Sequence, residues 1–244
     1  MVYYNPDGVK FFMNYIICSN KITEKIERGF MDSGAVPVKL RGMTRFGPFH
    51  PLCCHPDMFC FKLANNKWIF YKEAYKTNKK AIDKLNIDII TVNNPESCEY
   101  PRDIGLNAAA VGGCVICNAK YTNEEILKRA NKIIDVKQGY AKCSTCVVGD
   151  NAVITSDVSI YGAALKNNID ALLIESGHIN LDGYNYGFIG GCSGLTDKNK
   201  LAFTGNIALH PDYEAIKNFC GDRGVEIVSL SDEKLYDYGS IFSV

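Results

Sequence analysis

The sequence lacks long hydrophobic runs and any excess of charge of one sign. Its longest apolar stretches fall short of the roughly 18 residues that a transmembrane helix needs, so we expect no membrane span. The 27 basic residues balance the 27 acidic ones, whereas a nucleic-acid-binding protein usually carries a basic excess. Asn14 interrupts the apolar N-terminal stretch, and no small-residue cleavage site follows, so a signal peptide is not predicted either.

Cysteine, by contrast, is abundant, with 11 residues in a chain of 244. An odd number of cysteines without a signal peptide argues for reduced thiols in the cytoplasm. The composition, 47% hydrophobic and 22% charged, is typical of a globular protein. A chain of this length buries enough surface to fold without disulfides. We therefore expect one cytoplasmic domain spanning residues 1–244.

One pattern occurs five times along the chain: an apolar strand, a polar turn, an amphipathic helix and a second short apolar strand. The repeats begin at residues 16, 69, 115, 153 and 201. In the third repeat, Thr122 and Glu125 form a capping-box pattern that predicts where the helix starts. Turn residues that precede four of the repeats predict β-hairpins, at Asn65–Asn66, Gly112–Gly113, Gly149–Asn151 and 196–200.

The fifth hairpin requires the two ends of the chain to pair. The C-terminal segment 239–244 would supply one strand, and the N-terminal segment 9–18 would supply the other. The pattern then predicts an α/β propeller of five ββαβ units around a pseudo-five-fold axis, without an exposed sheet edge at the chain ends. The alternative is a doubly wound α/β fold, but that fold has no hairpin in each unit, and no G-x-G-x-x-G sequence opens a helix here.

Two segments that precede hairpin strands carry reactive side chains. The segment His55-Pro56-Asp57 resembles the H-x-D segment that carries the general acid/base of the pentein superfamily, and Lys142-Cys143-Ser144 resembles the segment that carries its nucleophilic cysteine. This superfamily of guanidino-group-modifying enzymes includes arginine and agmatine deiminases, dimethylarginine dimethylaminohydrolase and amidinotransferases. It also includes a translation initiation factor that binds the large ribosomal subunit. Small pentein-like proteins of clostridia resemble the sequence too, a likeness that implies no activity.

The resemblance implies a pentein propeller with its active site on the central axis. There, Cys143 would attack a small guanidino compound and form a covalent thiouronium intermediate, and His55 would act as acid and base. The enzyme would be a hydrolase or transferase without a cofactor. Lys142 beside the thiol is expected to lower its pKa, although neighbours on a strand face opposite sides.

Holding a planar guanidinium takes carboxylates that accept paired N–H bonds. Asp57 and Asp103 are the candidates, with Glu175 and Asp237 in reserve. The order along the chain departs from the enzymes, because their R-D pair follows the cysteine and their glutamate belongs to an E-G-G motif, to which Glu175-Ser176-Gly177 corresponds only loosely. The other candidate substrate-binding residues are Arg102, Asn107, Lys142 and Phe188.

Each candidate also has a structural interpretation. Cys143 could fill the core, His55 could fix a turn before Pro56, and Arg102 and Asp103 could form a surface pair. Cys192, in a glycine-rich segment explained by close backbone approach, is a second candidate nucleophile.

Four cysteines form the spacing C-x2-C-x25-C-x2-C, which also occurs in zinc sites. They are Cys114, Cys117, Cys143 and Cys146. Residues i and i+3 of an extended strand face opposite sides, so this geometry argues against one shared metal ion. We expect no metal.

The alternative function is that of a pentein without catalytic activity, which binds a ligand or a macromolecule. An enzyme is expected to show a lowered Cys143 pKa and a concave acidic pocket, and a binding protein an apolar or charged patch. The expected partner is a small guanidino compound, nucleic acid and membrane are not expected, and exposed hairpin edges are compatible with a homo-oligomer.

Overall fold

The computed structural model describes residues 14–47, 50–63 and 66–244, together with the backbone of two short strands near the N-terminus. These strands, β1 (Val2–Tyr4) and β2 (Lys10–Phe12), form an antiparallel pair. Asn65, which we predicted at a hairpin turn, lies outside the described residues. Each helix in the described ranges is too short or too polar to cross a membrane.

Five three-stranded sheets share one arrangement. In each sheet an inner strand runs antiparallel to a middle strand, which runs parallel to an outer strand. A helix connects the middle strand to the outer one. Every predicted repeat start lies within a middle strand, so the structure confirms the five ββαβ units.

The elements follow one another in the order of the repeats. The first unit contains β3 (Asn14–Ser19), α1 (Glu24–Asp32) and β4 (Ala35–Leu40). The second contains β5 (Cys60–Lys62), β6 (Lys67–Tyr71), α2 (Lys72–Ile82) and β7 (Asp88–Val92). The third contains β8 (Ala109–Val111), β9 (Cys114–Cys117), α3 (Glu124–Arg129) and β10 (Lys132–Asp135).

A short helix opens the fourth unit, which contains α4 (Ala141–Ser144), β11 (Cys146–Gly149), β12 (Ala152–Thr155), α5 (Val158–Lys166) and β13 (Asp170–Leu173). The fifth contains β14 (Ser193–Asp197), β15 (Lys200–Phe203), α6 (Tyr213–Gly221) and β16 (Glu226–Ser229). Single 3₁₀ turns lie at Thr44–Phe46, Pro51–Cys54, Pro56–Met58, Asp83–Leu85 and Ile207–Leu209.

The last strand, β17 (Phe242–Ser243), is the inner strand of the first unit. It runs antiparallel to β3, with Phe242 opposite Ile17 and Ser243 opposite Ile16. The predicted pairing of the two chain ends is therefore confirmed for these residues.

The middle strands form because they are apolar on both faces, as expected of strands covered by helices on one side and by inner strands on the other. Ile16, Ile69 and Ile154 are fully buried examples. The capping-box prediction was wrong by one residue. Asn123, not Thr122, caps α3 by accepting a hydrogen bond from the Glu125 N–H, and the Thr122 hydroxyl donates to the Asn118 carbonyl instead.

Candidate active site

Three of the predicted residues meet in one buried cluster. His55, Asp57 and Cys143 each present a nitrogen, oxygen or sulfur atom within 4.8 Å of the other two. The Cys143 thiol donates to Asp57 Oδ2 at 3.1 Å. All three side chains are buried. Asp57 precedes the inner strand β5 and Cys143 precedes β11, so the cluster lies where the loops of two units enter their inner strands.

The sequence predicted Cys143 at the start of a strand. It lies instead in the short helix α4. Asn107, from the loop before β8, fixes the position of this helix. Its Oδ1 accepts hydrogen bonds from the backbone N–H of Lys142 at 2.8 Å and of Cys143 at 3.4 Å. Its Nδ2 donates to Cys143 Sγ at 3.2 Å. Asn107 is therefore a donor aimed at the sulfur, a contact that stabilises a thiolate.

Asp57 has one satisfied and one unsatisfied carboxylate oxygen. Oδ2 accepts from the Ser240 hydroxyl at 2.6 Å as well as from the thiol. Oδ1 is buried without a hydrogen-bond partner. A buried acceptor without a partner is costly, so this oxygen marks a position where a donor-bearing ligand would be stabilised.

Asp103 is a second carboxylate of the same kind. The Tyr140 hydroxyl donates to its Oδ2 at 3.0 Å, and its Oδ1 is buried without a partner. Tyr140 belongs to the loop that leads into α4, and its hydroxyl interacts electrostatically with both Asp103 and Cys143. Asp103 therefore borders the same site as the thiol.

Asp237 lies behind His55 and is held by the backbone. Its Oδ2 accepts from the Phe188 N–H at 2.9 Å, and its Oδ1 accepts from the Gly239 N–H at 3.0 Å. The His55 Nδ1 lies 3.6 Å from Asp237 Oδ1, slightly beyond hydrogen-bond distance, and has no other partner. A side chain at Gly191 would overlap the Asp237 carboxylate, which explains glycine there by close backbone approach.

Burial sets the protonation states of the cluster. It raises the pKa of the Cys143 thiol well above its ordinary value, and the carboxylates of Asp57 and Asp237 raise it further, against the hydrogen bond from Asn107. The lowered thiol pKa that we expected is therefore wrong. Burial also lowers the pKa of His55 to about 4 and raises that of Asp237 to about 6. At neutral pH, the thiol is thus protonated and the imidazole is neutral.

Lys142 does not act on the thiol as expected, because α4 turns its side chain elsewhere. Its Nζ donates to Ser240 Oγ at 3.0 Å and to the Gly190 carbonyl at 3.3 Å. This buried ammonium lowers the pKa of Asp57 and Asp237, against the stronger effect of their burial. Lys142 therefore favours the ionised forms of the carboxyl groups.

The structure does not bring two candidates into the cluster. Arg102 is exposed and lies 3.4 Å from Glu96. Glu175 is also exposed, and its carboxylate lies 3.6 Å from His178. Phe188 contributes its backbone N–H to Asp237 and packs its ring edge-on against Tyr186.

Of the remaining cysteines, Cys98 and Cys114 are partly exposed and the others are buried. The thiol of Cys192 is buried and donates to the Ile189 carbonyl. Cys117 and Cys146 pack in separate apolar clusters, around Trp68 and Phe203 respectively. Among the described residues, His55, Asp57 and Cys143 are the one group whose atoms lie close enough together to hold a metal ion.

Sequence reasoning missed Ser240 and Tyr140 and placed Asp237 only in reserve. Ser240 has a left-handed backbone conformation with φ of 74°, which is uncommon outside glycine. Residues 236–241 precede the inner strand β17 as the other four site loops precede theirs, and that position in the repeat is the signal that could have identified Ser240.

Comparison with known proteins gives a family and a fold. A model of a family described as "Family of unknown function (DUF6873)" matches residues 17–242. None of the curated proteins matches the sequence significantly.

Similar solved structures include three enzymes. Agmatine deiminase of C. jejuni is 11% identical, with a TM-score of 0.53, over 100% of this chain and 96% of that chain. DDAH from Pseudomonas aeruginosa, complexed with citrulline, is 9% identical, with a TM-score of 0.52, over 91% of this chain and 93% of that chain. The amidinotransferase SxtG of the saxitoxin pathway of Microseira wollei is 10% identical, with a TM-score of 0.52, over 90% and 88%. All three are pentein proteins, which confirms the predicted fold. Identities this low show the fold alone.

Proposed function

The chain belongs to the DUF6873 family of unknown function, and we propose that it is a cysteine-dependent enzyme that hydrolyses or transfers the amidino group of a small guanidino compound. One observation carries the proposal. Asp57 Oδ1, in the cluster with the thiol of Cys143 and the imidazole of His55, is buried without a donor. Asp103 Oδ1, which is connected to the cluster through Tyr140, is buried without a donor too. A guanidinium supplies several N–H donors in one plane together with the positive charge that the buried carboxylates lack.

Binding of the cation would also activate the nucleophile. The Cys143 pKa is raised partly by the negative charges of Asp57 and Asp237, and a guanidinium placed against Asp57 offsets that repulsion. The thiol proton then moves to the neutral imidazole of His55. Asn107 Nδ2, already 3.2 Å from the sulfur, stabilises the thiolate. The thiol therefore becomes reactive only when the substrate is bound.

The thiolate of Cys143 would then form a bond to the guanidinium carbon. The C–N bond to the leaving group breaks, and the imidazolium of His55 gives its proton to the departing ammonia or amine. The product of this step is a thiouronium intermediate on the enzyme. In hydrolysis, neutral His55 takes a proton from water, and the resulting hydroxide attacks the same carbon. The C–S bond then breaks, and the imidazolium of His55 returns its proton to the sulfur. The protonated urea-type product gives its extra proton to water as it leaves. In transfer, an amine replaces the water.

Asp237 would act through His55 as a positioning residue. Its carboxylate lies 3.6 Å from His55 Nδ1, so an ionised Asp237 stabilises the imidazolium that forms during the reaction. Tyr184 is 45% exposed, and its hydroxyl group interacts electrostatically with Asp103 and Cys143. The group attached to the guanidinium would thus leave the site beside an aromatic surface.

The experiment that tests this proposal is intact-protein mass spectrometry after incubation with 2-chloroacetamidine, a planar cation that resembles a guanidinium. When the reagent is bound, the thiolate of Cys143 displaces chloride from it and forms a stable thioether. We expect the wild type to form one adduct, at a fast and saturable rate. Cys143→Ser should lose this fast labelling. Asp103→Asn should slow the labelling about tenfold, as expected for loss of one charged hydrogen bond. Cys114→Ser, which removes a half-exposed thiol, is the matched control and should keep the adduct.

The contrary outcome is slow labelling that spreads over several cysteines and is no faster than with iodoacetamide. That result would favour the non-catalytic alternative, a pentein that binds its ligand without reacting. The buried, protonated resting thiol is the specific observation in favour of that alternative.

A further inference from the structure

A cavity of about 680 Å³ opens at the C-terminal ends of the inner strands, whereas the thiol cluster lies before their N-terminal ends. Its walls include Leu63, Val111, Gly149 and Ser243, which lie at or just beyond the ends of β5, β8, β11 and β17. Asp57 and Cys143, by contrast, precede the first residues of β5 and β11. The cavity therefore opens at the end of the inner strands away from the thiol cluster and extends toward the cluster as far as Lys142. Its volume is in the range of small-molecule sites.

The walls combine apolar side chains with two unpaired ammonium groups. Val147, Leu195 and Phe242 contribute apolar surface. Lys62 and Lys142 also line the cavity, and no carboxylate of the described residues forms an ion pair with either one. Lys142 is buried and Lys62 is half-buried, and a buried lysine without a carboxylate partner is rare.

Both ammonium groups lie beside the strand β17. Lys142 Nζ lies 5.3 Å from the centre of the Phe242 ring, and Lys62 Nζ donates to the carbonyl of the next residue, Ser243, at 2.7 Å. Burial lowers the pKa of Lys62, as expected where no anion stabilises the charge. Of the other charged side chains that line the cavity, Arg129 already pairs with Glu125, and Asp150 is exposed at a hairpin turn.

We propose that this cavity binds a small organic carboxylate with an aliphatic body, whose carboxylate pairs with Lys62 and Lys142. The apolar walls would receive the aliphatic part. A single negative charge fits better than a dianion such as phosphate, because the cost of burying charge rises steeply where most of the surroundings are apolar.

The bound carboxylate would also act on the thiol cluster through a chain of hydrogen bonds. Lys142 Nζ donates to Ser240 Oγ, Ser240 Oγ donates to Asp57 Oδ2, and the same oxygen accepts from the Cys143 thiol. An anion beside Lys142 weakens the field that keeps Asp57 ionised. It should therefore weaken the binding of a cation at the thiol cluster, a consequence that rests on the function proposed above.

A tryptophan close to this cavity can serve as an intrinsic fluorescent probe of ligand binding. Trp68 is the sole tryptophan of the sequence. Its ring packs edge-on against Phe242 at 5.8 Å and lies 6.0 Å from Lys62 Nζ. A titration of the full-length protein with hexanoate, followed by tryptophan fluorescence, should give a saturable change. Hexanamide, its neutral counterpart, and inorganic phosphate, an anion without an aliphatic body, should bind at least tenfold more weakly.

Two variants decide whether the response comes from the cavity. Lys62→Met keeps the aliphatic stem, removes the charge and should weaken hexanoate binding about tenfold. Lys67→Met removes an exposed lysine from the same hairpin and should leave the affinity unchanged. The proposal is overturned if folded wild type shows no saturable response, if hexanamide or phosphate binds as well as hexanoate, or if Lys62→Met binds like the wild type.

The coupling has a separate readout. Saturating hexanoate should slow the labelling of Cys143 by 2-chloroacetamidine at least threefold. Unchanged labelling with bound hexanoate would overturn the coupling but not the site. If Cys143 is never labelled selectively, the proposed enzyme function fails, and the fluorescence titration still decides whether the cavity binds a carboxylate.

Discussion

Burial holds the side chains of the thiol cluster in environments that oppose their charged forms. It raises the pKa of Asp57, and the nearby Asp237 raises it further, while His55 and Lys142 lower it. Ionisation of Asp57 in the folded protein therefore costs free energy, because the charge is buried beside a second carboxylate. A bound guanidinium would offset this cost, as the proposed function requires.

We expect Asp57→Asn to stabilise the fold at pH 7.5 while it abolishes selective labelling of Cys143. The amide oxygen can still accept from Ser240 and the thiol, but the buried charge is gone. Because the folded-state pKa of Asp57 is raised, its protonated form favours the folded state at low pH, and that contribution is lost as the pH rises through the folded-state pKa. Thermal unfolding should show a Tm about 3 °C higher, the shift that ~1 kcal/mol gives in a chain of this size.

The same comparison at pH 3.5 should show little difference, because Asp57 is then protonated in the folded state. Asp88→Asn, at an exposed position, is the matched control and should leave Tm unchanged at both pH values. A lower Tm for Asp57→Asn at pH 7.5 would show that the carboxylate stabilises the fold.

At this scale, two short segments that resemble pentein motifs pointed to Cys143, His55 and Asp57, because each of these segments is contiguous in the sequence. The position of Asp237 depends on the N–H of Phe188, 49 residues away, and on the absence of a side chain at Gly191. Such packing is not visible in local sequence. The expectation that Lys142 lowers the pKa of the thiol was wrong, because in the helical turn of α4 its ammonium group donates to Ser240 and to the Gly190 carbonyl instead.

The helix α4, which carries the thiol, has four residues. A helix this short is not stable by itself, because nucleation costs more than one turn of hydrogen bonds returns. Asn107 supplies the additional hydrogen bonds that stabilise the helix, since its Oδ1 accepts from the backbone N–H groups of Lys142 and Cys143. The thiol is thus positioned by a side chain from the neighbouring unit.

We expect Asn107→Asp to slow the labelling of Cys143 by 2-chloroacetamidine about 30-fold at pH 7.5. The carboxylate can still accept the two backbone N–H groups. It cannot donate to the sulfur, and it adds a negative charge beside a thiol whose pKa Asp57 and Asp237 already raise. The pH profile of labelling should also move to higher pH, which a merely structural defect would not cause. Asn118→Asp is the control, and equal rates for Asn107→Asp and wild type would contradict the assignment.

The strands could be predicted from the sequence pattern, but the helix α4 could not. The middle strands were predictable because most of their residues are apolar, and the three-residue strands β5 and β8 were predictable from turn signals. The helix α4 has no amphipathic pattern, since all four of its residues are buried. Neither its existence nor its cap by Asn107 could be read from periodicity.

The units are joined across the whole molecule by the pairing of the chain ends. β17 completes the sheet of β3, and Phe242 of β17 also packs against Trp68 of the second unit. Ser240, in the loop before β17, donates to Asp57. The C-terminal segment thus connects the first unit, the second unit and the thiol cluster, which is the basis for proposing that residues 1–244 form one domain.

If this proposal holds, the chain unfolds in a single cooperative transition. Urea unfolding followed by tryptophan fluorescence, which reports on Trp68, should coincide with unfolding followed by far-UV circular dichroism, which reports on all units. Phe242→Ala removes the ring that packs on Trp68 and should lower the free energy of unfolding by ~3 kcal/mol, while both signals still share one midpoint. Leu209→Ala, at an exposed position, should leave the midpoint unchanged. Two separate midpoints in the wild type would show that the second unit unfolds independently of the rest, and the single-domain proposal would then be wrong.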